Sequence, residues 1–225
     1  MAMMTLASVL LTVRGTTVPP TRDAVRELHN RTAGSEEGVA AARALGDLSH
    51  NVFTPLQGVP GTDERELLII DVWRDAEGIG TFFGDPQVQQ GASELFSARE
   101  AVVWTPAAGA FGFELDAPRH RPDRYLGTAR GLVGEPGHTT EVFAKIMTAG
   151  LADGRRRGQL SHQLYMRLPG PAGQAPAEAL AVELWCDAEG MAEHYAQLSG
   201  FEAAFAAEPV TSVWEAAPGG EWTEW

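Results

Sequence analysis

The sequence contains a single cysteine, Cys186, among its 225 residues. One thiol excludes an internal disulfide framework and a cysteine-rich zinc site, and it suits a reducing compartment, so we expect a cytoplasmic location. Basic residues are also few, because 17 Lys and Arg stand against 30 Asp and Glu and give a formal charge of −13. Neither nucleic acid nor an anionic membrane surface is therefore an expected partner.

Long apolar runs and nucleotide-binding loops are missing as well. Nowhere do 18 apolar residues follow one another, so we expect no transmembrane helix. The apolar opening, residues 1–11, has no basic residue in front of it and is interpreted as a first strand rather than a signal peptide. No Gly-x-Gly-x-x-Gly loop occurs, so no nucleotide cofactor is expected. With 44% hydrophobic residues, the chain can bury the core of one domain or two small ones.

Two segments of the sequence recur at the same spacing. Residues 73–79 (Trp-Arg-Asp-Ala-Glu-Gly-Ile) return 112 positions later as 185–191 (Trp-Cys-Asp-Ala-Glu-Gly-Met). Residues 46–53, which contain Leu-Ser-His, return as 158–165 at the same offset of 112. The pair Val-Trp at 103–104 returns at 213–214, two positions earlier than that offset. Two independent matches in one register indicate an internal duplication.

Hydrophobic periodicity and turn residues give both copies the same order of elements. The first copy has predicted strands at 6–16, 48–56, 67–73 and 100–105, and predicted helices at 21–45, interrupted near Gly34, and from the cap Asp75 to Phe96, broken at 84–86. The second has predicted strands at 125–133, 160–168, 179–185 and 210–216, and helices at 139–153 and 187–206. Each copy is therefore β-α-β-β-α-β.

That order predicts an α+β fold made of two tandem ferredoxin-like repeats. Residues 1–105 form the first repeat, 106–122 a linker, 123–217 the second repeat, and 218–225 a C-terminal tail with two tryptophans. Strands such as Leu67–Ile70 are apolar on both sides, unlike a half-solvated antiparallel strand. We therefore expect the two antiparallel sheets to pack as an α+β barrel within one chain.

A strand ending in acid-x-Trp, followed by Asp-Ala-Glu-Gly and a closing Val-Trp strand, resembles the antibiotic-biosynthesis-monooxygenase branch of the dimeric α+β barrel superfamily. Residues 71–78 and 183–190 carry the resemblance, and 137–143 is similar to the start of that family's first helix. Its members include cofactor-independent oxygenases of quinols and aromatic polyketides, haem-degrading enzymes, isomerases and cyclases, so the fold does not settle the function. Where haem-degrading relatives carry a ligating histidine, this chain has Phe83 and Tyr195, which disfavours haem.

Two histidines in predicted strands are the most informative polar residues. Leu48, His50 and Val52 should share one face of a strand, and His162 holds the matching position in the second copy. A hairpin centred near residues 60–61 sets Asp71 opposite His50, and the same geometry sets Glu183 opposite His162. A carboxylate that holds one imidazole nitrogen leaves the other free to take a proton. We therefore predict two catalytic dyads, His50 with Asp71 and His162 with Glu183. The alternative is that both pairs are structural hydrogen bonds retained after duplication.

Aromatic residues recur around both dyads and suggest a flat, apolar pocket, although most could be ordinary core. The predicted substrate-binding residues are Trp73, Phe83, Tyr165, Trp185, His194 and Tyr195, with His194 expected rather to face solvent. Convergence of His50, Asp71, His162 and Glu183 on one metal ion has no support from close ligand spacing, so no metal is predicted.

The function that these features favour is a cofactor-independent oxygenase of an electron-rich aromatic, such as a phenol, anthrone or quinol of a polyketide-like secondary metabolism. A non-oxidative cyclase or isomerase using the same dyads, and a non-catalytic small-molecule binder closed by Trp222 and Trp225, are the alternatives. His194 and Tyr195 align with Phe82 and Phe83, which makes the second copy more polar. We therefore expect His162 and Glu183 to carry the chemistry and His50 to be structural. The sequence also leaves open whether the chain pairs into a homodimer.

Overall fold

The computed structural model describes residues 8–59, 63–115, 124–169, 177–217 and 221–225. It is an α+β structure. The chain divides into two units, the first comprising Met1–Val103 with Ala217–Trp225 and the second Trp104–Ala216. Across the described ranges, no helix combines the length and the apolar character that crossing a membrane requires.

The first unit alternates strands with short helices. It contains β1 (Val9–Thr17), α1 (Arg22–Arg31), α2 (Glu36–Ala44), β2 (Asp47–Pro55), β3 (Glu66–Trp73), α3 (Ala76–Gly84), α4 (Pro86–Leu95) and the greater part of β4 (Phe96–Pro106). Within this unit the strand order is β4-β1-β3-β2. Strand β3 runs antiparallel to both β1 and β2.

Side-chain caps explain where these helices begin. The hydroxyls of Thr21 and Ser35 and the carboxylate of Asp75 accept backbone N–H groups in the first turns of α1, α2 and α3, and Asp85 does the same for α4, which starts at Pro86. Such caps satisfy amide groups that have no partner inside the helix. The predicted interruptions near Gly34 and at 84–86 are both confirmed.

The core of the first unit lies between the sheet and the helices. Leu67, Ile69 and Trp73 alternate along β3 and pack in one cluster with buried residues of the helices, namely Val25, Leu28, Ala42, Ile79 and Leu95. Leu68 and Ile70 point to the opposite face and are buried too. The strand is therefore apolar on both faces, as the sequence predicts, and Asp71 is a charged exception within it.

The second unit has a similar succession of elements. They are β5 (Phe113–Glu114), β6 (Tyr125–Leu132), α5 (Pro136–Arg156), β7 (Gln159–Arg167), β8 (Glu178–Trp185), α6 (Ala188–Gln197), a 3₁₀ turn (Phe201–Ala204) and β9 (Val210–Ala216). The strand order in this unit is β9-β6-β8-β7-β5. The last residues of β4, Trp104 to Pro106, also pair with β7.

Several predicted boundaries differ from the structure. The helix predicted over 187–206 ends at Gln197, because Leu198 is already extended (ψ 131°), and a separate 3₁₀ turn begins after Gly200 (φ 83°). Residues 106–122, predicted as a linker without regular structure, contain β5, which pairs with β7. Strand β4 starts at Phe96 rather than at residue 100. Residues 6–7, the hairpin centre at 60–62, and residues 116–123 and 218–220 of the predicted linker and tail lie outside the described residues.

A β-bulge at the start of β2 changes which side chains face the core. Asp47 pairs with Trp73, whereas Ser49 pairs with Val72, so Leu48 is the extra residue. Leu48 is 48% exposed, and the prediction that it shares a face with His50 is wrong. The bulge gives that inward position to Asp47, which is buried.

Candidate functional site

The first predicted dyad is confirmed as a contact. His50 on β2 pairs with Asp71 on β3, and its Nδ1 lies 2.7 Å from Oδ1 of Asp71. Both side chains are buried. Burial, the largest single influence, lowers the pKa of His50, but the hydrogen bond and charge of Asp71, with the charges of Asp47 and Glu224, together raise it above its ordinary value of 6.5. The raised pKa favours the protonated form of His50 beside Asp71.

A second histidine, which the sequence analysis missed, completes a chain of hydrogen bonds. Nε2 of His29, on α1, lies 2.9 Å from Nε2 of His50, and Nδ1 of His29 lies 3.0 Å from Oδ1 of Asn30. Burial, reinforced by the positive charge of His50, lowers the pKa of His29 to about 4. His29 is therefore neutral, donates to Asn30 through Nδ1 and accepts the Nε2–H of His50.

Asp47 brings a second carboxylate to the same place. Its Oδ1 accepts a hydrogen bond from the backbone N of Ser49 at 3.2 Å. Burial, and then the nearby negative charge of Asp71, raise the pKa of Asp47 to about 7. Such a carboxyl group gains and loses its proton near neutral pH, which is the property required of a general base.

Asp47, His50 and Asp71 also offer one possible metal-ligand atom each, all within 4.8 Å of one another. However, Nδ1 of His50 already donates to Asp71, and a cation would have to displace that proton. We therefore interpret the three residues as a hydrogen-bonded group, called here the Asp47–His50–Asp71 cluster.

The cluster opens onto a cavity of 280 Å³ within the first unit. The cavity lies between the sheet and the helices, and its walls are mostly apolar. They include Leu11, Val13, Ile69, Ile79, Phe82, Phe83, Val88, Leu95, Phe96 and Trp225, with Gln87, Gln89 and Arg99 among the polar residues. A mainly apolar space with a few convergent polar groups is the usual form of a small-molecule site.

The C-terminal segment, residues 221–225, covers the two histidines. The ring of Trp225 stacks on His50 with centroids 4.5 Å apart, and the ring of Trp222 lies 5.3 Å from that of His29. The backbones of Trp225 and His50 exchange two hydrogen bonds, of 2.7 and 3.2 Å, and Glu224 accepts the backbone N–H of Val52. This segment thus extends the pairing of β2 and forms part of the cavity wall.

The second predicted dyad is also formed, but its surroundings differ. His162 pairs with Glu183, and the Nδ1 to Oε1 distance is 2.8 Å. The hydroxyl of Tyr195 donates to Oε2 of Glu183 at 2.6 Å and lies 3.2 Å from Nε1 of Trp185. Tyr195 therefore occupies the second oxygen of Glu183, whereas the corresponding carboxylate of the first unit, Asp71, borders the cavity.

The remaining nitrogen of His162 has an apolar neighbour. Nε2 is buried and has no hydrogen-bond partner within the part of the chain that the structure describes. The ring of Phe143, on α5, lies 6.1 Å away, where the first unit has His29 on α1. Gln159, at the position matching Asp47, is likewise buried. The second dyad thus lacks both the histidine and the second carboxylate of the first.

The residue opposite the carboxylate of each dyad explains why a tyrosine reaches the carboxylate in the second unit only. Gly127 on β6 pairs with Glu183, whereas Leu11 on β1 pairs with Asp71. A Cβ atom at Gly127 would collide with the hydroxyl of Tyr195, so glycine is required for that ring to reach Glu183. The equivalent Phe83 cannot donate, and it lines the cavity instead.

The other predicted substrate-binding residues are distributed unevenly. Trp73 and Trp185 are fully buried core residues. Burial, with a contribution from Glu114, raises the pKa of Tyr165 to about 12, so its hydroxyl stays protonated. The expectation that His194 faces solvent is wrong, because it is 4% exposed and its Nδ1 lies 3.1 Å from Asp153.

Comparison with known proteins finds likeness in structure only. No family model matches the sequence, and no curated protein matches it. A protein of Lactobacillus acidophilus NCFM, provisionally named a monooxygenase, superposes with a TM-score of 0.62 at 9% identity, over 94% of this chain and 95% of that one. A Fusobacterium nucleatum protein with the same provisional name gives 0.60 at 11% identity, over 96% and 94%. An anthrone oxidase-like protein gives 0.59 at 16% identity, over 93% and 91%. At such identities these likenesses establish the fold alone.

Proposed function

We propose that the chain is a monooxygenase-like enzyme that oxidises a small electron-rich aromatic bound in the cavity of the first unit. The observation that carries the proposal is the cavity itself, which exposes a buried acid-base cluster to a space with apolar and aromatic walls. The names of the structural neighbours, two provisionally called monooxygenases and one called anthrone oxidase-like, support the same class of reaction.

The chemistry needs no electron carrier when the substrate is itself the reductant. Removal of a hydroxyl proton produces an electron-rich anion, which passes electrons to O₂. For a methylene flanked by two aryl rings, one oxygen atom becomes the new carbonyl, and the other leaves as water with both methylene hydrogens. Apolar walls keep water from the intermediate, and the Asp47–His50–Asp71 cluster removes the proton.

The first unit suits this role better than the second, which is the reverse of the assignment favoured by the sequence. In the second unit, Tyr195 occupies the second oxygen of Glu183, and the other nitrogen of His162 is buried near Phe143. In the first, the cluster borders a cavity large enough for a bicyclic or tricyclic aromatic. We therefore assign the active site to His50 and its partners.

Oxygen uptake tests the proposal. The purified, chelator-treated protein is mixed with a panel of phenols, quinols and anthrones, and O₂ consumption is recorded for the wild type and for the matched variants His50→Gln and His162→Gln. A base and its partners contribute about 10²- to 10⁴-fold, so His50→Gln should lower the rate at least about a hundredfold. His162→Gln should leave the rate within about threefold of the wild type, because the change lies in the other unit.

The other outcomes separate the alternatives. Loss of activity in His162→Gln but not in His50→Gln would return the site to the second unit. Products that lose water without gaining oxygen would identify a cyclase or isomerase. Binding without turnover of any panel member would identify a small-molecule binder.

We further propose that the two units are tandem ferredoxin-like copies of the antibiotic-biosynthesis-monooxygenase type. The strand order β4-β1-β3-β2 in the first unit and β9-β6-β8-β7 in the second place corresponding strands in corresponding positions. Both dyads also occupy the same register on the same pair of strands. A polyketide-like substrate, and so a place in secondary metabolism, follow from this kinship and not from the geometry of the cavity.

A further inference from the structure

The three residues of the Asp47–His50–Asp71 cluster differ in their capacity to accept a proton from a molecule in the cavity. Both ring nitrogens of His50 are engaged, one with His29 at 2.9 Å and the other with Asp71 at 2.7 Å. A ring whose two nitrogens are both held in hydrogen bonds has no lone pair free for a further partner. His50 therefore cannot act as the base in this arrangement, although it is the residue that the sequence singles out.

Asp71 is committed as well. Its Oδ1 binds the imidazolium, and the two side chains form a buried ion pair. Protonating this carboxylate would leave the charge of His50 without its partner in a buried place, which costs free energy. A proton from the cavity is thus better accepted elsewhere.

Asp47 is the member of the cluster that remains. It lines the cavity, it is buried, and it accepts one backbone hydrogen bond through Oδ1, whereas an ionised carboxylate has about four acceptor positions. Its counterpart in the second unit is Gln159, an amide that cannot act as a base. The carboxylate at this position therefore accompanies the dyad that borders the cavity described above.

We propose that the carboxylate of Asp47 takes the proton from the hydroxyl of a phenol or enol bound in the cavity. The substrate O–H bond breaks, a new O–H bond forms on Asp47, and the electron pair stays on the substrate oxygen. His50, Asp71 and His29 are positioning residues, because their hydrogen bonds hold the side chains beside Asp47 in place. That this proton transfer begins an oxidation rests on the proposed function, but the test below measures binding and does not need turnover.

The charges around Asp47 come from several elements and set the pH at which it acts. Asp71 on β3 disfavours its ionisation, while His50 on β2 and Arg43 on α2 favour it, and burial disfavours it most. Arg99 on β4 also lines the cavity. Because the pKa of Asp47 is raised to about 7, its carboxylate is protonated in mildly acidic solution and ionised in mildly basic solution.

The experiment measures the binding of 2-naphthol, a phenol that stays un-ionised in free solution over the range used, by calorimetry at about pH 5.5 and about pH 8.5, on either side of that pKa. The wild type should bind it about tenfold more tightly at the higher pH, because a charge-assisted hydrogen bond replaces a neutral one. Asp47→Asn should bind it equally at both values. 2-Methoxynaphthalene, which has no proton to donate, should show no pH dependence with the wild type.

Asp23→Asn is the matched control, because it removes a negative charge from an exposed position on α1. It should keep the tenfold difference. The assignment is overturned if Asp47→Asn keeps that difference, if the methoxy compound shows it too, or if folded wild-type protein does not bind 2-naphthol. A normal binding pattern without any oxygen uptake would instead refute the proposed oxygenase and leave the role of Asp47 intact.

Discussion

The raised pKa of Asp47 has a consequence for stability that needs no substrate. An acid whose pKa is higher in the folded protein than in the unfolded chain holds its proton more tightly when folded. Its contribution to stability is complete below its unfolded value of 3.8 and is lost as the pH rises through the folded value of about 7. The wild type should therefore lose stability between about pH 4 and pH 7 at this one residue.

The size of the effect follows from the shift. A difference of about three pH units, at about 1.4 kcal/mol per unit, gives an upper limit of about 4 kcal/mol. Because the carboxylate borders a cavity, where solvent screens part of its charge, we expect about 2 kcal/mol. Asp47→Asn cannot ionise, so its stability relative to the wild type should increase by that amount from pH 4 to pH 8.

Urea unfolding at several pH values, followed by tryptophan fluorescence, measures this difference. Asp23→Asn serves again as the control and should show a difference from the wild type that does not change with pH. A difference for Asp47→Asn that is flat across the range, or that moves in the opposite direction, would refute the assignment of a buried carboxyl group with a raised pKa at this position.

Three further variants test the asymmetry between the two units and the role of the C-terminal segment. Tyr195→Phe leaves one oxygen of Glu183 without its donor and should lower the free energy of unfolding by about 1–3 kcal/mol, with oxygen uptake unchanged; unchanged stability would contradict the hydrogen bond. Gly127→Ala should cost about 1–3 kcal/mol through collision with the tyrosine, and the double variant with Tyr195→Phe should lose less than the sum of the two single losses. Trp225→Ala removes the ring stacked on His50, so calorimetry should show weaker binding of 2-naphthol, and the free energy of unfolding should fall by about 1 kcal/mol. Full affinity for 2-naphthol would show that the ring is not part of the wall of the binding cavity.

The sequence was a good guide to the elements and to the pairing of the strands. Alternation of apolar residues and the position of the hairpin were sufficient to set His50 against Asp71 and His162 against Glu183, because register on paired antiparallel strands follows from simple counting. The helix cap at Asp75 was equally predictable from the sequence, since capping depends on residues that are close in sequence.

The chemistry of the site was harder to predict, because it depends on irregularity and on distant segments. The bulge at Leu48 turns Asp47 inward, and strict alternation predicts the opposite. His29 lies on a helix, and only packing of that helix against the sheet brings it to His50. The difference between Asp47 and Gln159 in otherwise matching segments was the available signal, and it points to the first copy.

The covering of His50 by residues 221–225 has a consequence for folding kinetics. Glu224 and Val52 are 172 residues apart in the chain, whereas Arg14 and Glu66, which join β1 to β3, are 52 apart. Closing the longer loop costs more chain entropy, and the contact of Glu224 with Val52 can form only after the intervening chain has become ordered. We expect a refolding chain to regain the sheet of its first unit before its ligand-binding wall, so that recovery of 2-naphthol affinity lags behind recovery of secondary structure.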